Sequence, residues 1–289
     1  MSSRTRPRSC ASCFRSKTAV RRTLVALLIA LGTASAPLFA AEYPFPHVAQ
    51  AYLVRVQGET LWARHADARL PPASLTKIMT ALLVLESYQP QAVVTVSPAV
   101  AAETGSRLAL RAGDSLRVAD LLVATLLRSA NDACHALAEW HSGNETAFVA
   151  RMNRRAAELG LRNTRFQNAC GHDAADHYSS ARDMALLADT AMRQPEFARL
   201  VVLPQAQFTT SDGRRTFTVK NTNALLGNLP GAAGVKSGYT KLAGKCVVAL
   251  AERAGVRVLV VLFNAPDRWW TAAGLLERAF SAFDKDHGT

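Results

Sequence analysis

The sequence lacks the cysteine and histidine spacing that metal sites need. There are five cysteines and seven histidines in 289 residues, and no His-x-x-x-His pair occurs. Beyond the N-terminal segment only Cys134, Cys170 and Cys246 remain, far apart in sequence. We therefore expect no metal site and no disulfide framework, although an oxidising compartment would permit one bridge.

The chain also has little excess charge once its N-terminus is set apart. The formal net charge is +12, but seven of the 34 basic residues precede Glu42, the first acidic residue. Residues 41–289 then hold 27 basic and 22 acidic residues, a net charge of +5. They contain no basic stripe interleaved with aromatic residues, so we set nucleic-acid binding aside.

Internal repeats and low-complexity tracts are absent, and the length and composition suit one large domain or two small ones. Residues 1–40 stand apart, because a basic segment is followed by the apolar run 24–31 and by small residues. This order predicts a signal peptide cleaved between Ala40 and Ala41, which places residues 41–289 in the periplasm. The alternative is an uncleaved inner-membrane anchor, since residues 24–41 approach the length of a membrane span.

Strand-forming segments at both ends enclose a helical middle. The patterns predict hairpins at 49–65 and 207–219, a three-strand meander at 235–264, and helices near 78–85, 118–126, 133–140, 145–159, 180–193 and 269–283. The simplest assembly is a mixed α/β fold, in which one five-stranded antiparallel sheet has helices on both faces and an inserted helical lobe. The apolar stripe of the last helix is expected to pack on the sheet, with a membrane-surface helix as the alternative.

Ser74 and Lys77 lie three residues apart at the start of the most apolar helix, just after two prolines. They share one face of that helix, and a helix that is apolar on all sides is buried. Burial and the helix dipole both favour the neutral amine of Lys77, which could take the proton of the Ser74 hydroxyl. The structural alternative is that Ser74 only caps the helix and Lys77 extends its ammonium to water.

Two further motifs are weak when taken singly. Ser129-Ala130-Asn131 falls in the break between two helices, where Ser129 with Asp132, or Asn131 alone, could simply cap a helix. Lys236-Ser237-Gly238 falls on a predicted edge strand, where the lysine could simply be solvated. Together with Ser74-x-x-Lys77, however, they form the three-motif signature of penicillin-binding proteins and class A β-lactamases.

Over about residues 48–283 the chain resembles the low-molecular-weight D-alanyl-D-alanine carboxypeptidases of serine peptidase family S11. Beyond the three motifs, the resemblance rests on Gly113-Asp114 and on residues 177–183, 221–223 and 234–240. Ala130 and Ser237 replace the Gly and Thr usual in the family, and residues 168–172 depart from its Asn-Pro-x-Gly-Leu loop, which bears on substrate preference. Many members continue into a small β domain and an amphipathic membrane anchor, and we expect neither here.

The resemblance implies a penicillin-sensitive carboxypeptidase that removes the terminal D-alanine from peptidoglycan stem peptides without a cofactor. The sequence does not indicate an oligomeric state, and a monomer is assumed. Ser74 would be the nucleophile, Lys77 the base and Ser129 the proton relay. The substrate and β-lactams would be held by Asn131, Lys236, Ser237, Gly238, Tyr239 and Thr240, with the Ser74 and Tyr239 amides forming the oxyanion hole.

Three other functions remain open at this point. A DD-endopeptidase, which cuts peptidoglycan crosslinks, would carry the same motifs. A class A-type β-lactamase would add a Glu-x-x-x-Asn sequence and its water; none occurs between Asn131 and Lys236, so slow release of penicillin is expected. A catalytically inactive binding module is disfavoured because every catalytic side-chain type is present.

Overall fold

The computed structural model describes residues 45–288, and all structural statements below concern that range. The expected signal peptide, residues 1–40, and its cleavage point lie outside the described residues. None of the helices within 45–288 combines the length and the apolar character needed to cross a bilayer.

The described chain alternates short strands with helices, and the bounds are as follows. The strands are β1 (Ala51–Val56), β2 (Glu59–Arg64), β3 (Val93–Thr95), β4 (Ser115–Arg117), β5 (Gln205–Thr209), β6 (Thr216–Lys220), β7 (Ala232–Thr240), β8 (Gly244–Arg253) and β9 (Val256–Phe263). The helices are α1 (Lys77–Glu86), α2 (Pro98–Ala101), α3 (Val118–Leu127), α4 (Asn131–Ser142), α5 (Glu145–Glu158), α6 (Ala181–Met192), α7 (Pro195–Val201) and α8 (Arg268–His287).

A five-stranded antiparallel sheet in the order β2-β1-β9-β8-β7 forms the centre of the fold. The first strand pairs with the last along its whole length, from Ala51 opposite Phe263 to Val56 opposite Val258. Segments from the two ends of the described chain therefore close one sheet, which confirms the predicted mixed α/β fold. It also leaves β7, the strand that carries Lys236, at an edge.

The two faces of the sheet bury separate hydrophobic clusters. One face packs on α6 and the helical lobe, and the other packs on α8 through Leu275, Leu276 and Phe280. These three side chains are almost fully removed from solvent. The apolar stripe of the last helix thus packs on the sheet as predicted, and the membrane-surface alternative is wrong for it.

Helix α1 is the core of the helical lobe, and every residue from Lys77 to Leu85 is buried. Helices α3, α4 and α6 surround it. Three short elements between α1 and α3 in the sequence were not predicted. They are the antiparallel pair of β3 with β4 and the single-turn helix α2. Three-residue strands are too short to show an alternating pattern in the sequence.

Pro195 follows the predicted helix at 180–193 and begins the next helix, α7, which was not predicted. It occupies the first turn of α7, where a missing N–H costs nothing because that group has no helical partner. The predicted hairpin around Asp212-Gly213 is confirmed as β5 paired with β6, a separate two-stranded sheet.

Candidate active site

A 3-10 turn at Ala73–Thr76, here called the serine turn, leads directly into α1. The Thr76 hydroxyl fixes its shape by donating to the Ala73 carbonyl at 2.8 Å and lying 2.9 Å from His177 Nε2. Neither the turn nor α1 has a side-chain cap, so the alternative that Ser74 serves only as a cap is wrong. Ser74 is instead held, partly exposed, at the entrance to a buried helix.

Lys77 is fully buried, and its amino group meets three oxygens. Nζ lies 3.1 Å from Ser74 Oγ, 2.8 Å from Asn131 Oδ1 and 2.5 Å from the Cys170 carbonyl oxygen. The amide and carbonyl oxygens can only accept, whereas a hydroxyl can also donate. All three partners are uncharged, so no carboxylate offsets an ammonium here, and the alternative of a solvated Lys77 is wrong.

The loop between α3 and α4 carries Ser129 and leads into Asn131, which contacts Lys77. Asn131 is the first residue of α4, but its side chain turns toward Lys77. Its Nδ2 donates to the Thr104 carbonyl at 2.6 Å, which fixes the orientation of the amide. Ser129, two residues earlier, is partly exposed and has a positive φ of 61°.

The capping alternatives for this loop are also wrong. Ala130 occupies the N-cap position of α4, and no side chain caps the helix. The Asp132 carboxylate accepts hydrogen bonds from the backbone amides of Leu108 and Leu110. Asp132 Oδ2 lies 3.0 Å from each of the two amide nitrogens. Asp132 therefore holds the segment 108–110 against α4, and the Asn131 side chain remains available to Lys77.

Lys236 on β7 is also buried, with 2% of its surface exposed, so the solvated-lysine alternative is wrong. Its Nζ donates to the Ser237 carbonyl at 2.8 Å. Burial, together with the positive charges of Lys77 and Arg268, holds the pKa of Lys236 well below its ordinary value. An anion bound nearby would favour the charged form again.

Two glycines pack closely against the backbone of the serine turn. A Cβ added to Gly238 on β7 would lie 2.8 Å from Ser74 N, and one added to Gly171 would lie 1.9 Å from the Ala73 carbonyl oxygen. Gly171 also has a φ of 87°, a conformation that side chains rarely adopt. The edge strand and the loop at residues 168–173 can therefore approach the Ser74 backbone only because both positions lack a side chain.

The remaining predicted residues lie along the end of β7. Ser237 is 7% exposed and Tyr239 is 62% exposed. Because successive residues of a strand face opposite ways, Ser237 and Tyr239 lie on one face of β7 and Lys236 on the other. The Thr240 hydroxyl donates to Asp173 Oδ1 at 2.6 Å, so it fastens β7 to the 168–173 loop. Ser74, Lys77, Asn131 and Gly238 thus come together in the structure, whereas the Thr240 hydroxyl is already engaged.

Sequence reasoning missed the contribution of the 168–173 loop and of Arg268. Asn168 Oδ1 accepts from the amides of Gly171 and His172 at 2.7 and 3.0 Å, an arrangement for which the Asn-x-x-Gly sequence was a readable signal. Arg268, at the start of α8, donates to the Gly238 carbonyl at 2.6 Å. No short motif marks Arg268, because only the fold brings α8 to β7.

The cysteines beyond the N-terminal segment are free and buried in this structure. Burial raises the pKa of Cys246 to about 11 and that of Cys170 well above its ordinary value. Among residues 45–288 no group of three or more His, Cys, Asp or Glu side chains is placed to hold a metal ion.

The geometry defines a class of enzyme. The site combines a buried lysine hydrogen-bonded to a serine one turn earlier, a carboxamide from an interhelical loop and a lysine on an edge strand. This set, on a sheet with a helical lobe, is the arrangement of serine enzymes with the S-x-x-K, S-x-N and K-[ST]-G motifs.

Comparison with known proteins narrows the class. The profile of the D-alanyl-D-alanine carboxypeptidase family, serine peptidase family S11, matches residues 40–267. The chain is 35% identical over 238 residues to D-alanyl-D-alanine carboxypeptidase DacF of Bacillus subtilis, covering 80% of this chain and 61% of that protein. It is 37% identical over 224 residues to DacC of Escherichia coli, covering 72% and 54%. The chain belongs to the D-alanyl-D-alanine carboxypeptidase family.

Solved structures agree with this assignment. The Streptomyces K15 DD-transpeptidase superimposes with a TM-score of 0.76 at 33% identity, covering 81% of this chain and 97% of that one.

A further sequence relative carries a different activity in its name. A D-alanyl-D-alanine endopeptidase of Pseudomonas aeruginosa is 33% identical over 196 residues, covering 66% of this chain and 62% of that protein. The chain spans between about half and two thirds of the length of DacF, DacC and this endopeptidase.

Proposed function

We propose that this protein is a serine-type D-Ala-D-Ala carboxypeptidase that removes the terminal D-alanine from peptidoglycan stem peptides and is acylated by penicillins. The observation that carries the proposal is the set of three oxygens around Lys77 Nζ, one of which is Ser74 Oγ. A general base must lie within hydrogen-bond reach of the proton that it removes, and Lys77 meets that requirement.

In the acylation step Ser74 Oγ attacks the carbonyl carbon of the penultimate D-alanine. Two partners of Lys77, Asn131 Oδ1 and the Cys170 carbonyl, only accept hydrogen bonds, so the neutral amine directs its two N–H groups to them. Its lone pair then points to the Ser74 hydroxyl and takes that proton. The peptide bond breaks as Ser129 receives the proton held by Lys77 and passes its own to the leaving D-alanine amine, so that Lys77 is neutral again and an ester to Ser74 remains.

Substrate binding is assigned to the edge strand β7 and the groups around it. Lys236 supplies the positive charge for the terminal carboxylate, aided by the Ser237 hydroxyl. The Thr240 hydroxyl donates its hydrogen to Asp173, so it can bind the substrate carboxylate only after that hydrogen bond breaks. Asn131 has a second N–H on Nδ2 for the substrate amide. The backbone amides of Ser74 and Tyr239 stabilise the oxyanion, and removing one such donor typically costs about 10²–10³ in rate.

Water then hydrolyses the acyl-enzyme and regenerates Ser74. With penicillin the leaving group stays tethered, so water attacks slowly and the adduct persists. The absence of a Glu-x-x-x-Asn sequence between Asn131 and Lys236 supports this slow release. Action on peptidoglycan requires export, and we propose that residues 1–40 direct the catalytic region to the periplasm.

A DD-endopeptidase that cuts crosslinks is the second candidate. The 33% identity to the Pseudomonas aeruginosa endopeptidase favours it, and the attack by Ser74 would be unchanged. The two activities differ in whether the leaving amine belongs to free D-alanine or to a neighbouring stem peptide.

The test is to incubate the purified protein with a D-Ala-D-Ala pentapeptide and, separately, with a crosslinked dimer. Release of D-alanine from the pentapeptide, with the dimer left intact, supports the carboxypeptidase. Cleavage of the dimer as the faster reaction would establish the endopeptidase instead. Failure to process either substrate or to bind a labelled penicillin would refute both.

A further inference from the structure

Beside the proposed site, one carboxylate bridges two histidines from different parts of the chain. Glu103 Oε1 lies 2.8 Å from His135 Nδ1, and Glu103 Oε2 lies 2.9 Å from His172 Nε2. The Glu103 side chain is 13% exposed, and His135 is equally buried. Both carboxylate oxygens are therefore engaged, each with a different element.

Each end of this bridge adjoins a group that fixes Lys77. Glu103 precedes Thr104, whose carbonyl accepts from Asn131 Nδ2 at 2.6 Å. His172 follows Gly171, which packs on the serine turn, and Cys170, whose carbonyl accepts from Lys77 Nζ. The Glu103–His172 bond thus ties together the two segments that orient the acceptors of Lys77.

The electrostatics of the cluster favour an ionic bridge. Burial alone would raise the pKa of Glu103, but the hydrogen bonds from His135 and His172 outweigh it and hold that pKa well below its ordinary value. The hydrogen bond to Glu103 raises the pKa of His135. The carboxylate is therefore charged, and its bond to His135 gains strength as that histidine takes up a proton.

Other charged groups face the cluster from neighbouring elements. Glu139 on α4 lies 3.5 Å from His135 Nε2, and Glu145 on α5 also favours the charged form of His135. The Arg107 guanidinium donates to the Glu103 backbone carbonyl rather than to its carboxylate. Glu139 and Glu145 act on His135, and neither contacts His172 among the described residues. The loop also bonds to its surroundings through Glu145, which accepts from the Ala169 amide at 2.9 Å, and through Cys134 Sγ and Cys170 Sγ, which lie 3.3 and 3.5 Å from carbonyl oxygens of Ala169 and Asn131. Glu103 is the carboxylate that links His172 to His135 on α4.

We propose that Glu103 and His172 are positioning residues for acylation, forming a clasp that holds the Cys170 carbonyl and Asn131 Oδ1 at their places around Lys77. The inference rests on the proposed role of Lys77 as the base. A cavity of about 300 Å³ lies beside the clasp and is lined by Ala99, Ala102, Glu103, Thr104 and His172. A direct substrate contact from that cavity is the competing role that the experiment must separate.

The test compares the full chain with Glu103→Gln, His172→Gln and the matched control Glu139→Gln. Glutamine keeps the size of each glutamate and removes only its charge, and Glu139 touches His135 without touching the loop. The measurements are the rate of acylation by a fluorescent penicillin, kcat and KM for the pentapeptide, and hydrogen exchange of residues 168–173.

In Glu103→Gln and His172→Gln we expect about tenfold slower acylation, KM within twofold of wild type and faster exchange in the loop. Glu139→Gln should match wild type in all of these. Unchanged acylation and exchange in both clasp variants, an equal loss in Glu139→Gln, or a raised KM at constant kcat would each overturn the inference. Loop exchange needs no turnover, so it tests the clasp even if wild type is not acylated, and that latter result would refute the proposed function separately.

Discussion

Lys77 Nζ lies 3.1 Å from Ser74 Oγ, and the two groups that hold it there come from positions 54 and 93 residues further along the chain. Asn131 Oδ1 is supplied by the start of α4 and the Cys170 carbonyl by the 168–173 loop. The serine and lysine are neighbours through local helical geometry. The direction of the lysine amine, in contrast, depends on the complete fold of the helical lobe.

The first prediction concerns the role of Lys77 as a base. Lys77→Arg keeps a positive charge but removes the group that can give up its proton at ordinary pH. General base catalysis typically contributes about 10²–10⁴-fold, so acylation by penicillin should slow by that order. The measurement is the acylation rate of the folded variant beside wild type. A variant that kept most of its rate would mean that Lys77 acts through its charge alone.

The second prediction concerns the contact of Gly171 with the serine turn. Gly171→Ala would place a Cβ 1.9 Å from the Ala73 carbonyl oxygen, so the turn must move. Gly160→Ala is the matched control, because Gly160 also has a positive φ, 73°, but open space around it. Both should lose about 1–2 kcal/mol from the positive φ, and Gly171→Ala about 1–3 kcal/mol more from overpacking.

Urea unfolding measures the difference in the free energy of unfolding between the two alanine variants, and penicillin labelling reports on the turn. Gly171→Ala should also be acylated more slowly, whereas Gly160→Ala should label like wild type. Equal stability and equal labelling in the two variants would show that the 168–173 loop does not press on Ser74 in solution.

The third prediction concerns Lys236 and the carboxylate of the substrate. The pKa of Lys236 is lowered by burial and by neighbouring positive charge in the empty site, so the lysine loses its proton at a lower pH than usual. A bound carboxylate favours the protonated form, and KM for the pentapeptide should therefore rise with pH. A peptide ending in an amide should show no such rise, and Lys236→Met should remove the difference between the two peptides.

The fourth prediction concerns acid stability and His177. Burial lowers the pKa of His177 to about 4, and its Nδ1 accepts from the Gln167 amide at 3.1 Å. In the unfolded chain His177 takes up a proton near its ordinary pKa of about 6.5. In the folded protein it does so only near pH 4. The free energy of unfolding should therefore fall by about 3 kcal/mol as the pH drops through that window.

Unfolding of wild type and His177→Gln should be compared between pH 7 and pH 4. The variant should be less stable at pH 7 but lose less stability on acidification, because glutamine takes up no proton. The same slope in both proteins would mean that other groups cause the acid loss.

The sequence could predict the fold because its signals were local. A clear hydrophobic pattern marked the strands near both ends of the chain, the apolar helix after Pro72 and the stripe on α8. The three motifs fell at or near the ends of predicted elements. The short strands β3 and β4 gave no such signal, since three residues cannot display alternation.

The candidate site was predictable in its residue types but not in its contacts. The motifs named Ser74, Lys77, Asn131 and Lys236, yet nothing local indicated that Lys236 is buried or that the Thr240 hydroxyl is engaged by Asp173. Arg268 and the Glu103–His172 pair become visible only when the fold brings distant segments together. Their partners are 30 and 69 residues away in sequence.

The proposed function depends on acylation of Ser74, which mass spectrometry of the protein after brief exposure to a labelled penicillin can detect. We expect one adduct per chain, located on the peptide that contains Ser74 and absent from Ser74→Ala. Ser129→Ala keeps the nucleophile and should still yield the adduct on that peptide, more slowly. An adduct located on Ser129, or labelling that persists in Ser74→Ala, would contradict the account.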